Sequence, residues 1–332
     1  MKALAYRAAH ELAQFSIAET EVPLPEPGPG DLLVRVKAVS VNPVDTKVRK
    51  TRSAEGGHPV ILGWDVAGVV EKVGSAVAGF APGDEVYYAG ALTRDGGNAE
   101  FQAVDHRLVA PKPKGLSFVE AAAIPLTALT AWEALFEGGI EYGPGTKVLI
   151  IGGAGGVGSL AIQLLKARTE AAIYATASRP ESAAWIREMG VDHVLDHRND
   201  LAGELKKAGA ETIDVVFSTT HTDAYLATIP ALLRAFGHLV LIDDPKALDI
   251  LPFKRKALRV HWEFMFAKAL WGYRPETQGE ILRQVAALVE GGKVKTTVNR
   301  VLKGLTAANL REAHGLLEAG EAVGKIVIDF GT

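Results

Sequence analysis

The segment Lys147 to Ala167, KVLIIGGAGGVGSLAIQLLKA, constrains the fold more than any other part of the chain. An apolar run, Val148 to Ile151, meets a cluster of glycines, and a helix-forming stretch follows. Gly153, Gly155 and Gly158 have the spacing G-x-G-x-x-G. In that spacing the first glycine permits a tight turn, the second lets backbone approach a pyrophosphate, and the third lets helix pack on strand. The start of the helix then presents unpaired N–H groups to phosphate. The pattern alone is a weak signal, but here a strand precedes it and a helix follows, which is the context it requires. Gly152, Gly153, Ala154, Gly155, Gly156, Val157 and Gly158 are therefore read as the loop that cradles a dinucleotide in a Rossmann doubly wound parallel sheet. The competing reading is a glycine-rich turn in some other α/β protein.

The residue that follows the next strand selects the nucleotide. An acidic side chain about 20 residues beyond the motif binds the ribose 2′-hydroxyl of NAD. Here AAIYATAS ends at Ser178 and Arg179, with no carboxylate. A hydroxyl and a guanidinium fork suit a 2′-phosphate, which favours NADPH. The alternative for Arg179 is a solvated residue at the start of the next helix. His197, at the end of DHVLDH, either contacts the adenine or 2′-phosphate or is a surface histidine. Ser218 and Thr219 close the strand VVFSTTH, and ligands bind at such strand ends in open sheets. His221 follows them and is either a contact or a plain loop residue.

The rest of the chain divides by rhythm. Residues 1 to about 115 read as short strands between Gly/Pro turns, such as Leu32 to Val41, Val66 to Gly74 and Ala99 to Val104. This pattern predicts a small β-barrel or strongly curved sheet. From about Ala121 strands and helices alternate, which predicts a parallel sheet with right-handed crossovers. Strands are expected at 148–151, 172–177, 194–195, 215–218 and 238–242, and helices at 126–137, 159–167, 181–188 and 223–233. The tail holds a helix over 276–290 and strands over 297–302 and 325–330. It is expected to fold back on the first domain, so the domains read 1–120, 121–268 and 269–332, the last completing the first.

Composition excludes several classes. There is no cysteine, so disulfides, thiolate catalysis and thiolate metal sites are ruled out. A formal net charge of -3 gives no reason to expect nucleic acid or an anionic membrane as partner. The basic cluster KRKALR, Lys254 to Arg259, reads as a solvated loop. No signal peptide is recognised at the start, and no apolar stretch reaches the span length of a bilayer, which predicts a cytoplasmic protein.

Several ordered motifs then converge: SVNPVDTKVR (Ser40 to Arg49), ILGWDVAGVVEKVG (Ile61 to Gly74), PGDEV (Pro82 to Val86), AAAIPLTALTAWEAL (Ala121 to Leu135), the glycine loop, and GKIVID (Gly324 to Asp329). Over essentially its whole length the chain resembles the zinc-independent quinone oxidoreductases of the medium-chain dehydrogenase/reductase superfamily, in the branch labelled zinc-type alcohol dehydrogenase-like. The resemblance implies a GroES-like β-barrel catalytic domain beside the Rossmann domain. It also implies NADPH-dependent reduction of a small quinone or α,β-unsaturated carbonyl (enone). The zinc members' first ligand position falls at Asn42, and their Gly-His-Glu reads Gly63-Trp64-Asp65. Neither Asn42 nor Trp64 suits zinc, so no metal is expected.

By the same resemblance, Asn42, Asp45, Trp64 and Thr130 shape the reacting end. Asn42 and Asp45 also read as a turn and helix cap around Pro43, and Trp64 also reads as core. The family's tyrosine after NPVD is Lys47 here, which removes a carried-over proton donor. Ile242, Asp243, Phe264 and Lys325 are implied as further cofactor contacts. The segment Arg259 to Phe266 is implied as an edge strand that pairs with its twin in a homodimer. Two other readings remain open at this point: a metal-dependent alcohol dehydrogenase, and a non-enzymatic NADPH-binding or redox-sensing protein.

Overall fold

A computed structural model describes residues 1–331. The chain forms two compact units, residues 1–126 together with the stretch from Phe266 onward, and residues 127–265.

The second unit is built on a six-stranded sheet in the order His193–Leu195, Ala172–Thr176, Lys147–Ile151, Ile213–Ser218, Leu233–Leu241, Arg259–Trp262, with every neighbour parallel. Chain order reverses at Lys147–Ile151, the topological switch point of a doubly wound sheet. Strands covered on both faces read as continuous apolar runs, and Val148, Leu149, Ile150 and Ile151 are all fully buried. Leu149 and Ile151 join Val216, Leu239 and Leu241 in one core cluster. Because the strands are parallel and in register, their carboxyl ends fall on one edge: Ile151 pairs with Ser218, Ser218 with Leu241, and Thr176 with Leu195.

The first unit is organised by one long strand, Asp31–Val41. It pairs antiparallel with Val66–Val73, Phe101–Asp105 and Lys325–Asp329. Irregularities at Leu33/Val34 and Val36/Ala38 interrupt its register with Val66–Val73. Such bulges bend a strand, so its two halves serve different neighbours in a curved seven-stranded sheet. Leu32, Val34, Val36 and Val39 pack with Val66, Val70, Val86 and Val104 to fill the curve. The strand leads straight into the helix Pro43–Thr51, with proline at its start. Proline's fixed φ and missing donor suit that position.

Several local expectations are corrected. The helix expected over 223–233 is two short ones, Thr222–Tyr225 and Ile229–Leu232. Pro230 lies in the first turn of the second, where its missing N–H begins a helix but does not continue one. The edge strand expected to reach Phe266 stops at Trp262, and Phe266 caps the helix Ala267–Trp271. The stretch Phe118–Glu137 does reach the length and apolarity of a bilayer span, contrary to expectation, but most of it is buried inside the protein. It is also broken, with Pro125 opening a new helix after Phe118–Ala122. The helix Ala307–Glu318 was not legible as a period.

That last helix is tied to Pro43–Thr51 by a fully buried arginine. Arg49 donates to His314 Nδ1 at 2.9 Å, to the backbone oxygen of His10 at 3.2 Å, and to Glu318 Oε1. Burial pushes the His314 imidazole down to about 3, with Arg49 adding to the effect. The unfolded chain therefore binds a proton at ordinary histidine values that the folded protein refuses. Stability from this group is full above about pH 6.5 and falls steadily as pH drops toward 3. As pH falls from 6.5 to 4, the melting temperature of His314→Gln, which keeps an acceptor for Arg49, should rise relative to that of the wild type. A pH-independent difference between the two proteins would remove His314 as a contributor.

Candidate functional site

The glycine loop leaves the strand Lys147–Ile151 and enters the helix Gly156–Arg168. Gly152 has φ +83°, and its N–H donates to Thr176 Oγ1 at 3.0 Å. A Cβ on Gly158 would lie 2.4 Å from the Gly152 oxygen and 2.7 Å from Gly153 Cα. Both are backbone atoms that cannot step aside, so this glycine is what lets the helix start against the turn. Gly155 differs. Its φ is −71°, open to any residue, and a Cβ there would meet only the Gly152 oxygen at 3.6 Å, an ordinary contact. Protein packing does not require a glycine here, and the open space in front of it is room for a pyrophosphate. Gly155 also caps the helix without a side-chain bond, so the first-turn N–H groups keep their capacity for an anion. These residues fit a dinucleotide.

The fold brings the candidates that follow the strands of this unit to the same carboxyl edge. Ser218 ends the neighbouring strand, Thr219 follows it, and Thr219 Oγ1 donates to the Ile151 oxygen at 2.7 Å. Ile242 and Asp243 follow Leu233–Leu241. The Asp243 carboxylate accepts the Thr222 N–H at 2.8 Å and its hydroxyl at 2.5 Å, while Ser218 Oγ sits 2.7 Å from the same hydroxyl. Asp243 thus anchors the loop 219–221, a role that sequence reading missed. His221 is exposed in the left-handed region at φ 52°, with its ring 2.7 Å from Thr220 Oγ1. Arg179 is exposed at the start of helix Pro180–Glu188, 3.4 Å from Ser182 Oγ, beside half-buried Ser178. His197 is exposed just beyond the outer strand, Phe264 is exposed, and Thr130 is buried on the helix Pro125–Trp132.

In the first unit Asn42 and Asp45 form a capping box at Pro43–Thr51. Asp45 accepts the Asn42 N–H at 2.7 Å and the Gly63 N–H at 2.9 Å. The Asn42 amide donates to the Ser40 oxygen at 3.2 Å and to Asp65 Oδ2 at 3.1 Å. Both of its hydrogens are engaged, so neither is left for a substrate, and the cap describes these two residues. Trp64 is fully buried, with its N–H on the Ala91 oxygen at 3.1 Å and its ring edge-to-face with Phe266. Its place is core rather than a substrate wall.

Asp65 and Lys325 complete this cluster. Asp65 Oδ1 accepts the Leu126 N–H at 3.1 Å. The Lys325 ammonium lies 3.1 Å from Asp65 Oδ2, donates to the Val41 oxygen at 3.3 Å, and bonds Asn42 Oδ1. Its three donors have partners within the first unit. Burial raises the Asp65 carboxyl, while Lys325 pulls it back. Burial pushes Asp45 up to about 7, against the pull of its two backbone donors and of Lys325. Catalytic zinc needs thiolate, imidazole or carboxylate ligands. Asn42 and Trp64 supply none of these, and Asp65 is already paired with an ammonium. Among the described residues no three His, Cys, Asp or Glu side chains gather for a metal. The residues present do not fit that metal.

Comparison with known proteins agrees with this architecture. Residues 28–114 match the alcohol dehydrogenase GroES-like domain, and residues 189–328 match a zinc-binding dehydrogenase domain. A zinc-type alcohol dehydrogenase-like protein of Staphylococcus aureus is 39% identical over 323 residues, covering 95% of each chain. An NADPH-dependent alkenal/one oxidoreductase of Arabidopsis thaliana is 32% identical over 93% of this chain and 75% of its own. A crystal structure from Rhizobium etli, of the zinc-dependent alcohol dehydrogenase type, superposes with a TM-score of 0.95 at 46% identity, covering 99% of this chain and 98% of the other. With its GroES-like unit, its parallel dinucleotide-type sheet and relatives aligned nearly end to end, the chain belongs to the medium-chain dehydrogenase/reductase superfamily of oxidoreductases, in the quinone oxidoreductase branch labelled zinc-type alcohol dehydrogenase-like.

Proposed function

We propose that this protein is a metal-independent reductase that uses NADPH to reduce quinones or α,β-unsaturated carbonyls. The observation that carries the reading is the donor set at Asn42, Trp64 and Asp65, which offers no free zinc ligand because Asn42 and Asp65 are engaged by the Lys325 ammonium. Oxidising a simple alcohol asks for a group that stabilises the alkoxide, commonly a metal. Adding hydride to a quinone or to the β-carbon of an enone moves charge onto oxygen, where a few hydrogen-bond donors suffice. Similarity to an alkenal/one oxidoreductase supports the same class.

The reduced nicotinamide supplies the hydride when bound. The chain's task is to hold it: backbone N–H groups of the glycine loop and helix start take the pyrophosphate, and Ser178 and Arg179 take the 2′-phosphate. Placing the donor carbon against an electron-poor carbon supplies much of the rate through proximity.

Initial rates of NADPH and NADH oxidation, with a quinone and with an enone and EDTA present, test this. Chelator-resistant turnover that prefers NADPH is expected. Arg179→Ala should weaken NADPH at least about 10-fold more than NADH, the worth of one charge-assisted bond. Absence of turnover, or turnover appearing only with added zinc, would overturn the reductase reading.

A further inference from the structure

The helix Pro180–Glu188 starts at Arg179 and packs against the glycine loop. Ser182, Ile186 and Met189 fall at i, i+4 and i+7 and are buried, so they mark its inward face. Ile186 Cγ2 lies 3.5 Å from where a Cβ on Gly153 would sit. Trp185, half-buried beside these residues, donates its indole N–H to Ser159 Oγ at 2.8 Å. Ser159 is fully buried in the first turn of the helix Gly156–Arg168. Its hydroxyl donates in turn to the Gly155 oxygen at 2.8 Å, which also accepts the Ser159 N–H at 2.9 Å. A buried indole N–H usually finds some partner. Here that partner is tied directly to the loop residue that leaves room for a pyrophosphate.

We infer that Trp185 is a positioning residue: it braces the helix that bears Arg179 against the glycine loop, and so sets a preference for NADPH over NADH. The inference rests on the NADPH reading above and deepens it. NADPH carries its 2′-phosphate and its pyrophosphate on one ribose, so their span is fixed, while the two anchors sit on different elements. Linked contacts reinforce each other only when both sites can be engaged at once. Pairing of Ala172–Thr176 with Lys147–Ile151 aligns the strand ends. Arg179, however, stands beyond its strand, at the start of a separate helix. The bond from Trp185 to Ser159 ties that helix to the one leaving the glycine loop. A second tie, from the Gln163 amide to the Met189 sulfur at 3.4 Å, lies a turn further from the loop and uses a weak acceptor. Indole has a single N–H, and Ser159 takes it, so Trp185 acts through Arg179 and Gly155.

Calorimetric titration of the full chain with NADPH, NADH and adenosine 2′-phosphate reads this brace without turnover. Trp185→Phe keeps an aromatic ring and removes only the donor. It should weaken NADPH about 5-fold, the worth of one hydrogen bond. NADH and adenosine 2′-phosphate each engage one anchor, and should change by less than about 2-fold. Ser159→Ala removes the acceptor and should give the same pattern. Trp185→Phe/Ser159→Ala should lose no more than either single variant, because both remove one bond. All three variants should melt within about 4 °C of wild type. Unchanged NADPH affinity in Trp185→Phe would overturn the inference, as would equal losses for all three ligands, the result of a merely structural role. Should Trp185→Phe fail to fold, Ser159→Ala carries the same test with the same outcomes. A wild type that binds NADPH no better than NADH would overturn the NADPH reading and the inference with it. A wild-type preference that survives whole in both single variants would overturn the inference alone.

Discussion

Gly155→Val should fold nearly as well as wild type and lose about 100-fold in NADPH affinity, roughly 2.7 kcal/mol. Gly155 sits at φ −71° and a Cβ there meets only one backbone oxygen at 3.6 Å. The fold therefore tolerates the side chain, apart from about 1 kcal/mol for a poorer helix cap, which moves the melting temperature by no more than about 4 °C. The isopropyl group would, however, fill the space that a pyrophosphate must enter. Gly158→Val offers the contrast. Its Cβ would lie 2.4 Å from a backbone oxygen, so stability and affinity should fall together. Calorimetric titration with NADPH beside a thermal melt separates the two behaviours. Undiminished affinity in Gly155→Val would mean that the dinucleotide does not pass over this loop.

Asp65→Ala should cost about 3–5 kcal/mol, lowering the melting temperature by about 10 °C. The carboxylate is fully buried and accepts from the Leu126 N–H, the Asn42 amide and the Lys325 ammonium. Truncation leaves the buried ammonium without its counter-charge and two further donors without an acceptor, and each unsatisfied group carries its own desolvation cost. Asp65→Asn should lose less, because its amide oxygen still serves one donor. Urea unfolding of the three proteins measures this order. An Asp65→Ala protein that melts within about 2 °C of wild type would show that Lys325 finds other compensation.

The dinucleotide loop was legible because every requirement it meets is local. Gly153, Gly155 and Gly158 lie within six consecutive residues, between a strand and a helix that announce themselves by apolar run and glycine. The same locality made the helix Glu276–Glu290 readable from its pattern. It did not reach the segment 223–233, where one expected helix is two, the second opening at Pro230. Nor could it assign Asp243, whose carboxylate serves a loop 21 residues away.

The polar cluster shows the boundary from the other side. Asn42 and Asp45 carried a visible capping signature, since the pair spans a single turn. Lys325 carried no such signal and was read as a cofactor contact from its motif alone. Sequence by itself determined the glycine loop, the alternation that builds a parallel sheet, the helix cap after Val41, and the absence of thiolate chemistry. Only the tertiary structure decided where Lys325 points. Its place follows from antiparallel pairing of two strands nearly the whole chain apart, which brings a buried ammonium to Asp65 and Asn42 through contacts that no local pattern encodes.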